Sequence, residues 1–300
     1  MHGWIILDKP KGIGSTQAVS AVKRNLREAG FGKIKVGHGG TLDPLATGVL
    51  PIALGEATKL CGRMLDASKT YLFTVAFGVQ TSGLDSEGEV VDRSDVRPTR
   101  NEIEMQMSRF TGLIDQVPPA YSAIKVDGRR AYDRARAGEE IEMKARQVTV
   151  HSLGVHEHMA ESNRPLDEMT FLAEVSKGTY IRSLARDIAL AVGTVGHVTM
   201  LRRLRSGPFT VENAISLDKL NAFGQGAPQE DIILPIEVGL VDIPALDLSP
   251  EQARAIQQGR VLTGIAMKDG LHVARGADLR PIALVENIDG ELKTVRGFNL

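Results

Sequence analysis

At 300 residues, 42% hydrophobic and 24% charged, the chain has a globular composition with room for one large domain and a small one. One cysteine, Cys61, excludes an internal disulfide, and no apolar run approaches the roughly 18 residues of a transmembrane helix, so a cytoplasmic setting is expected. A formal net charge of −1 argues against a nucleic-acid binder taken whole, but the charges are segregated along the chain.

Trp4 to Leu7 reads as a buried strand, and the residues before it carry no secretory-signal pattern. A helix follows from about Gln17 to Glu28, with Ser15 or Thr16 as cap, an apolar stripe of Ala18, Val19, Val22 and Leu26, and Gly30 past its end. Tyr71, Phe73, Val75 and Phe77 alternate as in a half-buried strand. The stretch Leu84 to Glu104 is dominated by acids, and Thr99 to Glu102 is a capping box opening a further helix. Residues 119–147, with seven basic residues among acids, read as an inserted helical arm. Met169 to Val175 alternates again, and a helix bearing Ile181, Leu184, Ile188 and Ala191 follows Gly178 and stops at Gly193.

From Ser176 to Thr210 the basic residues Lys177, Arg182, Arg186, Arg202, Arg203 and Arg205 are opposed only by Asp187, a patch able to bind phosphates. Phe223 to Pro228 is the best internal candidate for a flexible stretch. Beyond Leu246, a short helix opened by Ser249-Pro250-Glu251 and several short strands make a small second unit, with few residues to bury and expected to lean on the main domain. Irregular strand spacing without regular helical crossovers gives an α+β protein and disfavours a doubly wound parallel sheet.

Gly37 to Gly48 isolates one acid, Asp43, in a glycine-rich turn where Pro44 restricts its backbone, making Asp43 a candidate nucleophile; a turn-closing aspartate is the plain alternative. Neither Gly12-Ile13-Gly14 nor Gly37 to Gly40 completes a dinucleotide or P-loop pattern. His38 has no His or Cys partner at metal-ligand spacing, and no paired-cysteine zinc pattern occurs. A glycosidase would want a second carboxylate across the bond, and none is evident.

The start Trp4 to Gly12, the run Gly37 to Lys59, Lys69-Thr70-Tyr71, Pro118 to Ile124, Ser176 to Leu184 and Met200 to Leu204 together resemble the TruB family of tRNA pseudouridine-55 synthases, in order over nearly the whole chain. Gly39 departs from the pattern, which more often has Thr or another side chain there, and leaves the local loop geometry open. The resemblance implies a catalytic domain over residues 1–244 with a mixed, largely antiparallel sheet flanked by helices, an RNA-binding arm at 119–147, and a PUA-like module at 245–300. It implies Asp43 as nucleophile, Arg182 paired with its carboxylate, and Tyr71 stacking on the uracil and moving a proton. Tyr180 would be a second aromatic platform, Leu201 an apolar pocket wall, and His38 a filler of the space the flipped nucleotide leaves. Lys9 would support the loop, and Arg202 and Arg203 would contact RNA. No cofactor, metal or obligate protein partner is implied; the expected substrate is the tRNA T-arm and the expected state a monomer.

Overall fold

The computed structural model describes residues 1–122, 124–156, 163–226 and 232–300. The chain opens with β1 (Gly3–Lys9) and α1 (Ser15–Glu28), which buries Ala18, Val22 and Leu26 at helical spacing. Gly14 rather than Ser15 occupies the cap, and Gln17 reaches back to its amide at 2.7 Å. Next come β2 (Val36–His38), β3 (Thr47–Leu54), α2 (Cys61–Asp66) and β4 (Lys69–Phe77). A small hairpin of β5 (Val79–Thr81) and β6 (Val90–Arg93) precedes α3 (Arg100–Met107), which Thr99 and Glu102 cap reciprocally as the sequence predicts.

After β7 (Gly112–Gln116) comes the insertion, which the sequence reading makes helical. It is instead a hairpin of β8 (Lys125–Val126) and β9 (Arg129–Arg130), one six-residue helix, α4 (Ala131–Arg136), and chain without regular structure up to β10 (Arg146–Val155). Gly128 and Gly138, both with positive φ, interrupt any longer helix. The body continues with β11 (Glu168–Val175), α5 (Ile181–Ala191), β12 (Gly196–Ser206), β13 (Phe209–Thr210) and α6 (Leu217–Gly224). The stretch expected to be flexible therefore begins as helix: Phe223 is buried and Gly224 packs against Asn25, while residues 227 and 228 lie outside the described residues.

Among the described residues these strands form a nine-stranded sheet in the order β1-β3-β12-β4-β11-β10-β7, with β2 on β3 and β13 on β12. Its pairings are antiparallel except β3 with β12. Phe73 and Phe171 face each other across β4 and β11 with ring centroids 5.3 Å apart, at the centre of the main core.

A second sheet holds β14 (Ala245–Asp247), β15 (Leu262–Thr263), β16 (Gly270–Arg275), β17 (Pro281–Ile288) and β18 (Glu291–Gly297) in the order β14-β16-β17-β18-β15, with α7 (Pro250–Gln257) against it. Ser249 caps α7 and Pro250 fills its first turn, as expected. This unit has a small core of its own, around Ile256, Val285 and Leu292, and also leans on the body. Val273, Leu284 and Phe298 join Trp4, Phe209 and Leu240 in one apolar cluster, and Lys59 Nζ donates to Gly297 O at 2.8 Å.

Candidate active site

The turn from β2 to β3 carries Asp43 to the edge of the large sheet's central seam. Gly48, at φ 99°, lets β3 run beside β12: a Cβ there would lie 2.2 Å from Arg203 O. Gly39 also has a local reason. A Cβ on it would lie 2.5 Å from Met64 Cβ, so α2 sits too close for the side chain expected there.

Arg182, in the first turn of α5, donates through Nη2 to Asp43 Oδ2 at 2.8 Å and to Tyr121 O at 2.9 Å. Its Nη1 donates to Gly83 O at 2.8 Å and to Asp85 Oδ2 at 3.1 Å. The Arg182 side chain is 7% exposed and that of Asp43 39%, so the arginine is fixed from behind while the carboxylate faces open space. Asp85 is the acid the sequence reading passes over. It sits in the acidic stretch, but the turn that delivers it, with Leu84 at φ 60°, is not visible in the residue pattern.

That open space is a cavity of about 310 Å³ lined by Asp43, Tyr71, Tyr180, Arg182, Leu201 and Arg203, together with Lys69 and Ser122. Such a volume suits one base and its sugar. Tyr71 projects from β4 opposite Ala173, and Leu201, 6% exposed, comes from β12. Tyr180 precedes α5, its amide held by Gln116 Oε1 at 2.8 Å; burial pushes its phenol above the usual range, and the nearby Ser122 hydroxyl acts the other way. Among the described residues, a second cavity of about 540 Å³ shares Asp43, Ser122 and Arg182 with the first, and its remaining lining includes the 82–89 turn with Asp85, Glu87 and Glu89, and Tyr121, Tyr132 and Arg136.

Three candidates lie behind the cavity. Lys9 is fully buried, its Nζ donating to Pro10 O, Ile13 O and, at 3.5 Å, Pro44 O; burial brings its pKa down to about 8, with the Asp43 charge opposing. It donates into the backbone beside the loop and meets no solvent. His38 is half-buried with Nδ1 accepting from the Gly40 amide at 3.3 Å, and burial, then Arg203, lower its pKa. Arg202 is turned onto Asp8, with two bonds of 2.9 and 2.8 Å.

The reading of Arg203 as an RNA contact is corrected. It is 1% exposed and donates to Val49 O at 2.7 Å, Gly40 O at 3.1 Å and Thr41 O at 3.4 Å, so it staples the Asp43 loop to the sheet. The other basic residues of the 176–210 segment are engaged too: Lys177 with Asp66, Arg186 with Asp187 and Arg205 with Glu174. Lys69, which the sequence reading did not single out beyond its motif, donates to Met64 O, Leu65 O and Ala67 O at the end of α2, and burial brings its pKa to about 8.

Solved structures share the fold that presents this aspartate and arginine. An H/ACA ribonucleoprotein bound to a substrate RNA containing 2′-deoxyuridine superposes with a TM-score of 0.73 at 26% identity, over 99% of this chain and 85% of that one. A Cbf5–Nop10–Gar1 complex gives 0.71 at 29% identity, over 95% and 78%. Residues 24–181 match the N-terminal domain of the TruB family pseudouridylate synthases, and residues 182–241 match the tRNA pseudouridylate synthase B C-terminal domain. The class is thus a pseudouridine synthase, an enzyme. The chain belongs to the TruB family: it is 67% identical to tRNA pseudouridine synthase B of Novosphingobium aromaticivorans, over all of this chain and 98% of that relative, and 55% identical to that of Zymomonas mobilis, over 100% and 96%. The second matched segment spans α5 to the end of the body, so the five-stranded unit lies beyond both matched segments.

Proposed function

We propose that the substrate is tRNA and the target the uridine at position 55 of the T-arm, flipped into the cavity and attacked by Asp43. The observation that carries this reading is the 2.8 Å contact between Arg182 and Asp43 on the wall of a cavity that also holds Tyr71, Tyr180 and Leu201. The reaction breaks the C1′–N1 bond, turns the base and joins C5 to C1′; C5 loses its proton and N1 gains one, so no oxidant or energy source is consumed. Asp43 serves as nucleophile at C1′ or at C6, and Arg182 holds its carboxylate in place through either route. Tyr71 stacks on the uracil and carries the proton, Leu201 closes the apolar side, and unstacking the base is the cost the pocket recovers.

Residues 1–244 act as the catalytic domain, with 119–147 as the RNA-closing arm, and 245–300 as a PUA-like module adding RNA contacts. We favour a stand-alone cytoplasmic monomer over a guide-dependent enzyme, because the relatives matching at full length are named for tRNA whereas the ribonucleoprotein likenesses are below 30% identity.

Mapping pseudouridine in an unmodified tRNA transcript after incubation with the purified protein tests this directly. We expect modification at the T-arm uridine and nowhere else in the loop. Asp43→Asn should reduce the rate by at least about a thousandfold while tRNA affinity stays within about tenfold. Residual turnover of a few per cent would remove Asp43 from the chemistry.

A further inference from the structure

Ser122 stands where the two cavities meet. It is 4% exposed, its amide donates to Ala120 O and its carbonyl accepts from the Tyr132 amide, both at 2.9 Å, yet its Oγ has no hydrogen-bond partner. The Tyr180 phenol lies near enough for the hydroxyl to draw its pKa down, but the pair falls short of hydrogen-bond geometry. Four buried side-chain polar atoms lack a partner among the described residues, and Ser122 Oγ is the one belonging to a residue on the wall of the Asp43 cavity. A buried hydroxyl left unpaired calls for a reason.

The position supplies one. Among the described residues, Asp43, Ser122 and Arg182 border both cavities, whereas Tyr71 and Leu201 border the first alone. On the reading proposed above, a base lodged between Tyr71 and Leu201 with its glycosidic carbon at Asp43 brings the ribose to these three shared residues. Nη1 and Nη2 of Arg182 each already donate to two oxygens. Asp43 is committed to the glycosidic carbon. Ser122 is then the neutral group there that can both give and accept a hydrogen bond, as a ribose 2′-hydroxyl does.

We propose that the Ser122 hydroxyl pairs with the 2′-hydroxyl of the target nucleotide, making it the residue through which the enzyme senses ribose rather than deoxyribose at the reacting position. The inference rests on the functional reading above.

The test measures single-turnover rates of the full-length protein and of Ser122→Ala on T-arm RNA carrying either uridine or 2′-deoxyuridine at the target. Deoxy substitution should slow the wild type about tenfold, the worth of one hydrogen bond, and Ser122→Ala should slow the ribose substrate by a similar factor. In the variant the deoxy substrate should then lose less than about twofold more. Penalties that simply multiply would overturn the assignment. Because the change removes a hydroxyl with no partner in the folded protein, Ser122→Ala should melt no lower than wild type. A lowered melting temperature with equal loss on both substrates would make Ser122 structural and also overturn it. Wild-type protein that forms no pseudouridine in the ribose substrate would break the functional reading itself, and this inference with it.

Discussion

The turn that carries Asp43 and the arm that leaves β7 are both irregular chain with basic residues, and they are held in opposite ways. Around the turn, Lys9 and Arg203 are at most 1% exposed and send their protons into backbone carbonyls, including those of Gly40, Thr41 and Pro44. In the arm, Arg129 and Arg134 pair with Glu139, and Arg134 also with Asp127, at the surface, while Arg136 lies 4.8 Å over the Tyr132 ring. Bonds of the first kind are sheltered from water and salt, whereas those of the second are screened and easily exchanged. The turn is held to one geometry, and on the proposed reading the arm's pairs are free to be exchanged for RNA phosphates.

The two regions are joined at Arg182, which holds Asp43 on one side and Tyr121 O, at the arm's root, on the other. Among changes that test this contrast, Arg182→Lys should therefore have the largest effect, a fall in single-turnover rate of about a hundredfold or more, since an ammonium cannot reproduce the planar fork that serves four oxygens. A near-normal rate in a folded variant would break the comparison at its joint.

A second, smaller effect sharpens the contrast. Arg203→Met keeps the stem and removes the donors from Gly40, Thr41 and Val49, leaving the buried carbonyls of Gly40 and Val49 unpaired at about 1–3 kcal/mol each before relaxation, whereas Thr41 is exposed and can turn to water. We expect a loss of unfolding free energy on the order of 3 kcal/mol in denaturant titration, together with slower catalysis although Arg203 needs no contact with RNA. A change within about 0.5 kcal/mol would show that the turn is not held this way.

How these residues divide was partly legible in the sequence. Alternation in β4 and β11, the capping box at Thr99 and the Ser249-Pro250 helix start are local patterns, and the structure follows them. The Asp43 turn was legible because its glycines and Pro44 are read within a dozen residues. Arg202 and Arg203 were misread as one basic patch. In a strand, neighbours point to opposite faces, so Arg203 shares the buried face with Leu201 while Arg202 turns to Asp8. Asp85, which bonds Arg182, and Ser122, which lines the same cavity, lie 97 and 60 residues before it in the chain, and the fold brings them to one place. No local period encodes that.

The smallest expected effect belongs to the arm, and its sign is informative. Glu139 accepts from Arg129 at 3.0 Å and from Arg134 at 2.7 Å, so this one acid occupies two cations that could otherwise meet phosphate. All three residues belong to the arm, and the pairs tie it to itself rather than to the body. Glu139→Gln should leave the unfolding midpoint essentially unchanged, because exposed pairs add little to stability. It should also tighten tRNA binding at low salt by less than about tenfold, and steepen the dependence of log K on log salt by up to about 0.9 for each further phosphate neutralised. Arg134→Ala should do the reverse, weakening binding and flattening the same slope. Opposite signs in the two variants would mark the arm as a surface whose internal pairs compete with RNA. Parallel losses would instead mean that Glu139 and Arg134 hold the arm's shape, and an unchanged slope in both would move the RNA backbone off the arm altogether.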